Sequence, residues 1–290
     1  MRCLGLRDYV AMTRPVNSLM SGLGALMALL VYRGYTPPGI LVAVVATATG
    51  YLSTAASMLV NDYVDAAVDA VNKPWKPIPS GRVSRETTRS LGLALAVSSI
   101  VLNALLALAE PGLGWLPALV VAVYTLVGLA YSYLRAHWWS HLLVSLSTTG
   151  PVVYGYVLAG PPQGKLAFTA AFTVLVFLVT TGREVVKALQ DVEGDKKAGY
   201  KTIPIVFGAE ASRRLVLVIG ASAPFLALVA YAFNGSTAFL VLILLAAAAY
   251  LHQAVKAYSR PTDKKVLEDA RVKMLASMVL GLVAFWASGL

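Results

Sequence analysis

The sequence predicts an all-α polytopic membrane protein, on the evidence of composition, mean hydropathy and the length of its apolar segments. Of 290 residues, 58% are hydrophobic and 13% charged, whereas soluble domains have roughly 45–50% and about 25%. Mean hydropathy is +0.71. A water-soluble enzyme, a disordered segment and a secreted disulfide scaffold are excluded. The net charge of +10 is explained by membrane topology rather than by a nucleic acid partner.

Nine apolar segments bounded by glycine, proline and charged residues predict nine transmembrane helices, because each can cross a hydrocarbon core about 30 Å thick. They are residues 16–32, 39–68, 85–109, 115–134, 138–159, 166–190, 211–232, 237–257 and 271–289. The basic N-terminus is followed by an apolar stretch without a clear cleavage site, so the first segment is interpreted as a retained helix.

The distribution of charge predicts the orientation. With a cytoplasmic N-terminus, 22 of the 24 Lys and Arg residues lie on the cytoplasmic side, and only Arg33 and Lys165 do not. Such an asymmetry is the usual signature of topology. Thirteen of the 14 acidic residues share that side, Glu110 being the exception. We therefore expect a multi-pass protein of the cell membrane with its active site at the cytoplasmic face.

Four oxygen-bearing side chains end the second predicted helix: Asn61, Asp62, Asp65 and Asp69. At about 100° per residue they share one narrow helix face. Three like charges there need a compensating cation or hydrogen bonds. Mg²⁺ prefers oxygen ligands and is usually held by one or two carboxylates together with substrate phosphates. The pattern predicts a cation site, a solvated helix face being the alternative.

A second charged stripe ends the sixth predicted helix, where Arg183, Lys187, Asp191 and Asp195 follow one another at four-residue intervals. Intrahelical ion pairs are one interpretation. The other is substrate binding, because a buried arginine and lysine one turn apart need an anion from elsewhere. At the start of the fifth predicted helix, His137 and His141 are also four residues apart, and interfacial packing is favoured over metal binding for them.

Both acidic clusters precede a loop containing Lys, Pro and Gly, at residues 72–81 and 196–204. Helices 1–4 and 5–8 are therefore a candidate internal repeat within one domain, residues 1–290. If the repeats pack about a common axis, the clusters face one cavity. Such a cavity could hold a diphosphate through bridging Mg²⁺ and neutralise it as a leaving group.

At these residues the chain resembles the UbiA family of intramembrane prenyltransferases. The family motif N-D-x-x-D-x-x-x-D matches Asn61 to Asp69, and D-x-x-x-D matches Asp191 to Asp195. A third motif, Y-x-x-x-K, appears at Tyr131 with Arg135 in place of lysine. An arginine still binds a diphosphate oxygen, but its planar fork approaches differently from an ammonium.

The resemblance implies nine helices around a central cavity, two Mg²⁺ ions, ionisation of an isoprenyl diphosphate and attack by an acceptor. Catalysis and metal binding would fall to Asp65, Asp69, Asp191 and Asp195, with Asn61 as a further metal ligand. The candidate substrate-binding residues are Lys73, Arg82, Arg135, Lys187 and Lys201 for the diphosphate, Arg14 and Arg183 for an acceptor phosphate, and Asn17, Asn61, Asp62 and Tyr131 by their places in the motifs.

The acceptor is inferred from three further segments, residues 13–17, 72–84 and 183–195. Their sequences most resemble those of family members that prenylate the hydroxyl of geranylgeranylglyceryl phosphate in archaeal ether-lipid synthesis. Ala188 and Gln190 depart from that pattern, where acidic residues are expected. An aromatic acceptor such as 4-hydroxybenzoate is the alternative. A carrier or cation channel is the alternative of another class. The expected partners are a prenyl diphosphate, the acceptor and membrane lipids, without nucleic acid.

Overall fold

The computed structural model describes residues 6–289, except for the side chains of residues 71 and 72. Within that range the chain is helical and contains no strand. The helices are α1 Leu6–Met12, α2 Pro15–Tyr32, α3 Ile40–Val64, α4 Ala66–Asn72, α5 Arg85–Ala109, α6 Leu116–Leu134, α7 Ser140–Leu158, α8 Leu166–Lys197, α9 Ile203–Asn234, α10 Thr237–Ser259 and α11 Lys264–Ala287, with one 3₁₀ turn at Pro111–Leu113.

Among the described residues, eight helices are long and apolar enough to cross a membrane: α2, α3, α5, α6, α8, α9, α10 and α11. This confirms a multi-pass membrane protein. All nine predicted segments are helical, but α7 is not among the eight. It is 19 residues long and contains Pro151. The hydroxyls of Ser145, Ser147 and Thr149 donate hydrogen bonds to backbone carbonyls of the same helix. The ninth span and the cytoplasmic N-terminus stay predictions.

The chain forms two compact units. The first comprises the described residues up to 30, residues 37–134 and residues 150–160. There α3 packs against α5 and α6, and Gly50 of α3 meets Gly22 of α2 so closely that a Cβ on Gly50 would lie 2.7 Å from the Gly22 backbone. Small residues at such a contact let helix backbones approach inside a membrane. The single domain and the internal repeat stay predictions.

The second unit comprises residues 31–36, residues 135–149 and the described residues from 161. There α8 packs against α9 and α11, and α10 packs against α9 and α11. Its core contains Val185, Val216, Tyr250, Leu267 and Met274, all 2% exposed or less. The Tyr250 hydroxyl donates to the Val179 carbonyl at 2.7 Å, so this buried polar atom is satisfied.

Four predicted helix boundaries are corrected by the structure. The helix expected over 39–68 ends at Val64 and resumes as α4 after Asp65, whose ψ of −5° departs from the helical value of about −42°. The helix expected over 166–190 runs to Lys197 and ends in a Schellman turn, in which Gly199 has φ 72° and Tyr200 N donates to Asp195 O at 2.9 Å.

The other two corrections are earlier helix starts. Helix α9 begins at Ile203 rather than 211, with a kink at Gly208, whose φ is 84°. Helix α11 begins at Lys264 rather than 271, because the Asp263 side chain caps it, accepting from the backbone N–H of Lys265 and Val266 at 3.0 and 3.2 Å. The kink at Gly208 and the charged Glu210 hid the start of α9, and the two lysines of its first turn hid the start of α11, from a search for apolar segments.

Candidate active site

The first acidic cluster is buried at the junction of α3 and α4. Asp62, Asp65 and Asp69 are only 6–7% exposed, which argues against a solvated face. Asn61 donates from Nδ2 to Asp65 Oδ2 at 3.2 Å. The close grouping expected from helical periodicity is therefore present, although α3 stops at Val64.

Lys76 lies against this cluster and was not among the site residues predicted from sequence. Its Nζ donates to Asp62 Oδ1 at 3.0 Å and to Asp69 Oδ2 at 2.7 Å. Burial alone would lower the pKa of Lys76, but the hydrogen bonds to Asp69 and Asp62 outweigh it and raise the pKa above its usual value. The available signal was its position between Pro74 and Pro77, which fix the loop backbone. Lys73, which was predicted, is exposed.

Arg14 reaches the same cluster from the turn before α2. Its Nη2 lies 3.5 Å from Asp62 Oδ1, and its φ is 48°, uncommon for a residue other than glycine. Arg14 was expected to bind the acceptor's phosphate, and in this structure its anionic partner is Asp62. Asn17 lies on the exposed side of the first turn of α2.

Arg82 is held by the N-terminal helix α1, which the sequence analysis did not anticipate. Arg82 Nε donates to Asp8 Oδ1 at 3.2 Å, and the backbone N–H of Ser84 donates to the Tyr9 hydroxyl at 3.2 Å. These contacts attach the loop after α4 to α1 and leave Arg82 38% exposed.

An apolar cavity of about 490 Å³ lies between α2 and α3 in the first unit. Leu19, Val44 and Ala48 line it, and Tyr51 stands at one end. The Tyr51 hydroxyl lies 3.3 Å from Thr13 Oγ1, next to Arg14 in sequence. Leu19 and Val44 are about half exposed, at 48% and 56%, so the cavity is open on its apolar side.

The second charged stripe lies within α8, as its spacing predicted. One premise about it is corrected: a carboxylate of α8 itself lies against Arg183 and Lys187, while Arg183 Nε is buried without a hydrogen-bond partner among the described residues. Glu184, 5% exposed, accepts from Arg183 Nη1 at 3.0 Å and lies 3.5 Å from Lys187 Nζ. The i,i+3 spacing of Glu184 and Lys187 was the available signal for this pairing.

At the outer end of α8, Asp191 is exposed and Asp195 half-buried. The Arg135 guanidinium lies 4.7 Å from the ring centre of Tyr200. The backbone N–H of Lys201 donates to the Ala136 carbonyl at 2.9 Å, while its side chain is exposed. The loop after α6 therefore packs on the loop after α8.

The remaining predicted residue, Tyr131, lies half-buried in the last turn of α6. Among residues 6–289, no three Asp, Glu, His or Cys side chains come close enough to hold a metal ion by themselves. Mg²⁺ does not need that many, because substrate phosphates usually complete its coordination. The carboxylates of Asp62 and Asp69 already converge on the Lys76 ammonium, and this donor set fits a hard cation.

A multi-pass helical protein with buried aspartates and adjacent lysines and arginines is, by class, an intramembrane protein equipped for an anionic substrate. The model of the UbiA prenyltransferase family matches residues 19–287, and the chain belongs to that family. It is therefore a membrane-embedded prenyltransferase.

A curated relative agrees with this assignment, and solved structures share the fold. A digeranylgeranylglyceryl phosphate synthase of Methanothermobacter thermautotrophicus is 32% identical over 97% of this chain and 96% of its own length. A solved digeranylgeranylglyceryl phosphate synthase superposes with a TM-score of 0.80 at 19% identity, covering 98% of both chains. A UbiA homologue of Archaeoglobus fulgidus bound to DMAPP and Mg²⁺ superposes with a TM-score of 0.68 at 18% identity, covering 96% of this chain and 99% of its own.

Proposed function

We propose that this prenyltransferase, with Mg²⁺, transfers a geranylgeranyl group from its diphosphate to the hydroxyl of geranylgeranylglyceryl phosphate, an ether-lipid precursor. The observation that carries the proposal is the burial of Asp62, Asp65 and Asp69 at 6–7% exposure beside a lysine. Such a cluster requires positive charge: Lys76 supplies one cation, and Mg²⁺, which would also bind the substrate's diphosphate, would supply more. The name of the Methanothermobacter relative supports the choice of acceptor.

The metal ligands in this proposal are Asn61, Asp65 and Asp69 of the first cluster, with Asp191 and Asp195 of the second. We propose two Mg²⁺ ions, because each cluster has too few ligands for a closed cage. When bound, Mg²⁺ neutralises charge on the diphosphate.

The donor diphosphate would be bound by basic side chains, and Lys76 joins those predicted from sequence because it lies against the cluster. Ionisation leaves charge on the departing diphosphate, so these contacts would be stronger in the transition state than in the ground state. The candidates are Lys73, Lys76, Arg82, Arg135, Lys187 and Lys201, with Asn61, Asp62 and Tyr131 placed by the family motifs.

The acceptor's phosphate would bind Arg14, with Asn17 in the next turn and Arg183 as a second candidate. Arg14 would then exchange Asp62, 3.5 Å away, for the phosphate. The nearby cavity of about 490 Å³ is apolar and open, as a hydrocarbon chain entering from the bilayer requires. We place the active site at the cytoplasmic face of the cell membrane.

The test is a competition between acceptors. Purified protein receives geranylgeranyl diphosphate, Mg²⁺, geranylgeranylglyceryl phosphate and 4-hydroxybenzoate in equal amounts, and the products are separated by mass. We expect the diether to dominate. Prenylated hydroxybenzoate without diether would refute the acceptor. Cation flux into liposomes, without consumption of either acceptor, would favour the carrier or channel alternative.

A further inference from the structure

The turn between α1 and α2 holds Arg14 in a strained backbone conformation. Its φ is 48°, in the left-handed region that residues other than glycine rarely enter. Pro15 follows it, and the residue before a proline favours extended backbone, so Arg14 departs from two preferences at once. Such a conformation persists only where surrounding contacts impose it, and it is typical of functional sites. The contacts that impose it here are therefore candidates for a functional role.

Ser18, in the first turn of α2, makes two contacts that fix this conformation. It is fully buried, at 0% exposure. Its hydroxyl donates to the Thr13 carbonyl at 2.7 Å, and its backbone N–H donates to the Arg14 carbonyl at 3.1 Å. These carbonyls belong to the two planar peptide groups on either side of the Arg14 Cα, and φ and ψ describe how those planes are oriented. Ser18 thus restrains both backbone dihedrals of Arg14.

The restrained turn directs Arg14 toward the first acidic cluster. The Cα–Cβ bond turns with the two peptide planes, so the backbone conformation decides where the guanidinium can reach. Here Nη2 lies 3.5 Å from Asp62 Oδ1, and the side chain is 40% exposed. The Thr13 hydroxyl lies 3.3 Å from the Tyr51 hydroxyl at one end of the apolar cavity. The turn therefore connects Arg14 to both the acidic cluster and the cavity.

We propose that Ser18 is a positioning residue for acceptor binding, because its two hydrogen bonds hold the turn in the conformation from which Arg14 reaches the acceptor's phosphate. This inference rests on the proposed function, which assigns Arg14 to that phosphate. Ser18 itself contacts no substrate in this scheme. Without its hydroxyl, the Thr13 carbonyl loses a buried partner and Arg14 can relax toward ordinary backbone, so the fraction of protein ready to bind the acceptor falls.

The first variant is Ser18→Ala. We expect it to raise the KM for geranylgeranylglyceryl phosphate about tenfold, the effect of one lost buried hydrogen bond on the binding-competent fraction. The KM for geranylgeranyl diphosphate and kcat should stay within about twofold of wild type, because only acceptor binding is weakened. If Ser18→Ala does not fold, Ser18→Cys replaces it. Its thiol is a weaker donor, so the same KM should rise by a smaller factor.

The matched control is Ser99→Ala, which removes a similar hydroxyl from another helix. Ser99 is also 0% exposed, and its hydroxyl donates to the Ala96 carbonyl of α5 at 2.8 Å. Both serine variants should unfold at a lower temperature in detergent than wild type, since each loses a buried hydrogen bond. Only Ser18→Ala should raise the acceptor KM. This comparison separates positioning of Arg14 from a general loss of stability.

A double variant tests whether Ser18 acts through Arg14. Arg14→Gly removes the guanidinium and places at this position the residue that accepts a positive φ without strain. It should raise the acceptor KM by about tenfold or more, the effect of losing a charge-assisted contact. Adding Ser18→Ala to Arg14→Gly should then change that KM by less than about twofold, because residues that act as a unit are not additive.

Several results would overturn the inference while leaving the proposed function intact. They are an unchanged acceptor KM in Ser18→Ala, an equal rise in the donor KM, the same rise in Ser99→Ala, and additive effects in the double variant. If Arg14→Gly leaves the acceptor KM unchanged, the assignment of Arg14 to the acceptor's phosphate fails, and the role of Ser18 fails with it. A wild-type protein that cleaves the donor but never makes diether would refute the proposed function itself.

Discussion

Replacing Lys76 should lower the stability of the protein, because its ammonium lies 3.0 Å from Asp62 and 2.7 Å from Asp69. In Lys76→Met, Asp69 loses its cation and Asp62 keeps only Arg14, 3.5 Å away. We expect the free energy of unfolding to fall by about 1–2 kcal/mol without Mg²⁺, and part of the loss to return with Mg²⁺. Thermal unfolding in detergent measures both, with the exposed Lys73→Met as control. Equal stability of the two variants would contradict this role.

The same contacts predict a dependence on alkaline pH. The pKa of Lys76 is raised by its hydrogen bonds to Asp69 and Asp62. A lysine whose pKa is raised by folding stabilises the protein fully below its unfolded pKa of about 10.4, and this stabilisation is lost as pH rises through the folded pKa. The stability difference between wild type and Lys76→Met should therefore stay constant from pH 6 to about 9 and shrink above about 10.5. A difference that shrinks near neutrality would be inconsistent with this assignment.

The metal assignment is tested by neutral amides. Asp65→Asn and Asp191→Asn should each reduce Mg²⁺-dependent turnover by about 100-fold or more, because an amide lacks the charge that a hard cation requires. Glu193→Gln is the matched control. Glu193 is a nearby exposed carboxylate that pairs with Lys264 at 2.7 Å and belongs to neither motif. Turnover that survives in both aspartate variants would exclude these residues as metal ligands.

At the scale of elements, the helices that carry the acidic residues were largely predictable. Periodicity put Asp191 and Asp195 on one face with Lys187, and α8 continues far enough to keep them there. The interruption at Asp65 was not predictable, because a break of one residue leaves hydrophobic periodicity almost unchanged. Lys76 was missed for a different reason: the path of a loop depends on tertiary contacts that the sequence pattern does not contain.

The contact between α2 and α3 gives an element-scale prediction. A Cβ at position 50 would lie 2.7 Å from the Gly22 backbone, so Gly50→Ala must push the helices apart. We expect a loss of about 1–3 kcal/mol, the usual cost of overpacking. Gly112→Ala, where nothing lies within 4 Å of the added Cβ, is the control. Unfolding temperatures that do not differ would show that the helices separate at little cost.

For the molecule as a whole, the charge distribution predicts which residues each side of the membrane exposes. The native Cys3, which lies outside the described residues, is first replaced as Cys3→Ser. Single cysteines are then introduced as Lys165→Cys and Lys264→Cys. A membrane-impermeant thiol reagent on intact cells should label the first and not the second, because position 264 is expected in the cytoplasm. The opposite labelling would reverse the orientation.

The ammonium of Lys76 between Asp62 and Asp69 has a consequence for biogenesis. Sites that lack an internal counter-ion tie folding to metal supply, as in small zinc domains that are unfolded without metal. Here the chain carries its own positive charge into the membrane, at 2.7 Å from Asp69, so insertion and packing can finish before any metal arrives. Under the proposed function, metal loading would be an exchange of one cation for another, and cellular magnesium would govern activity without governing how much folded protein accumulates.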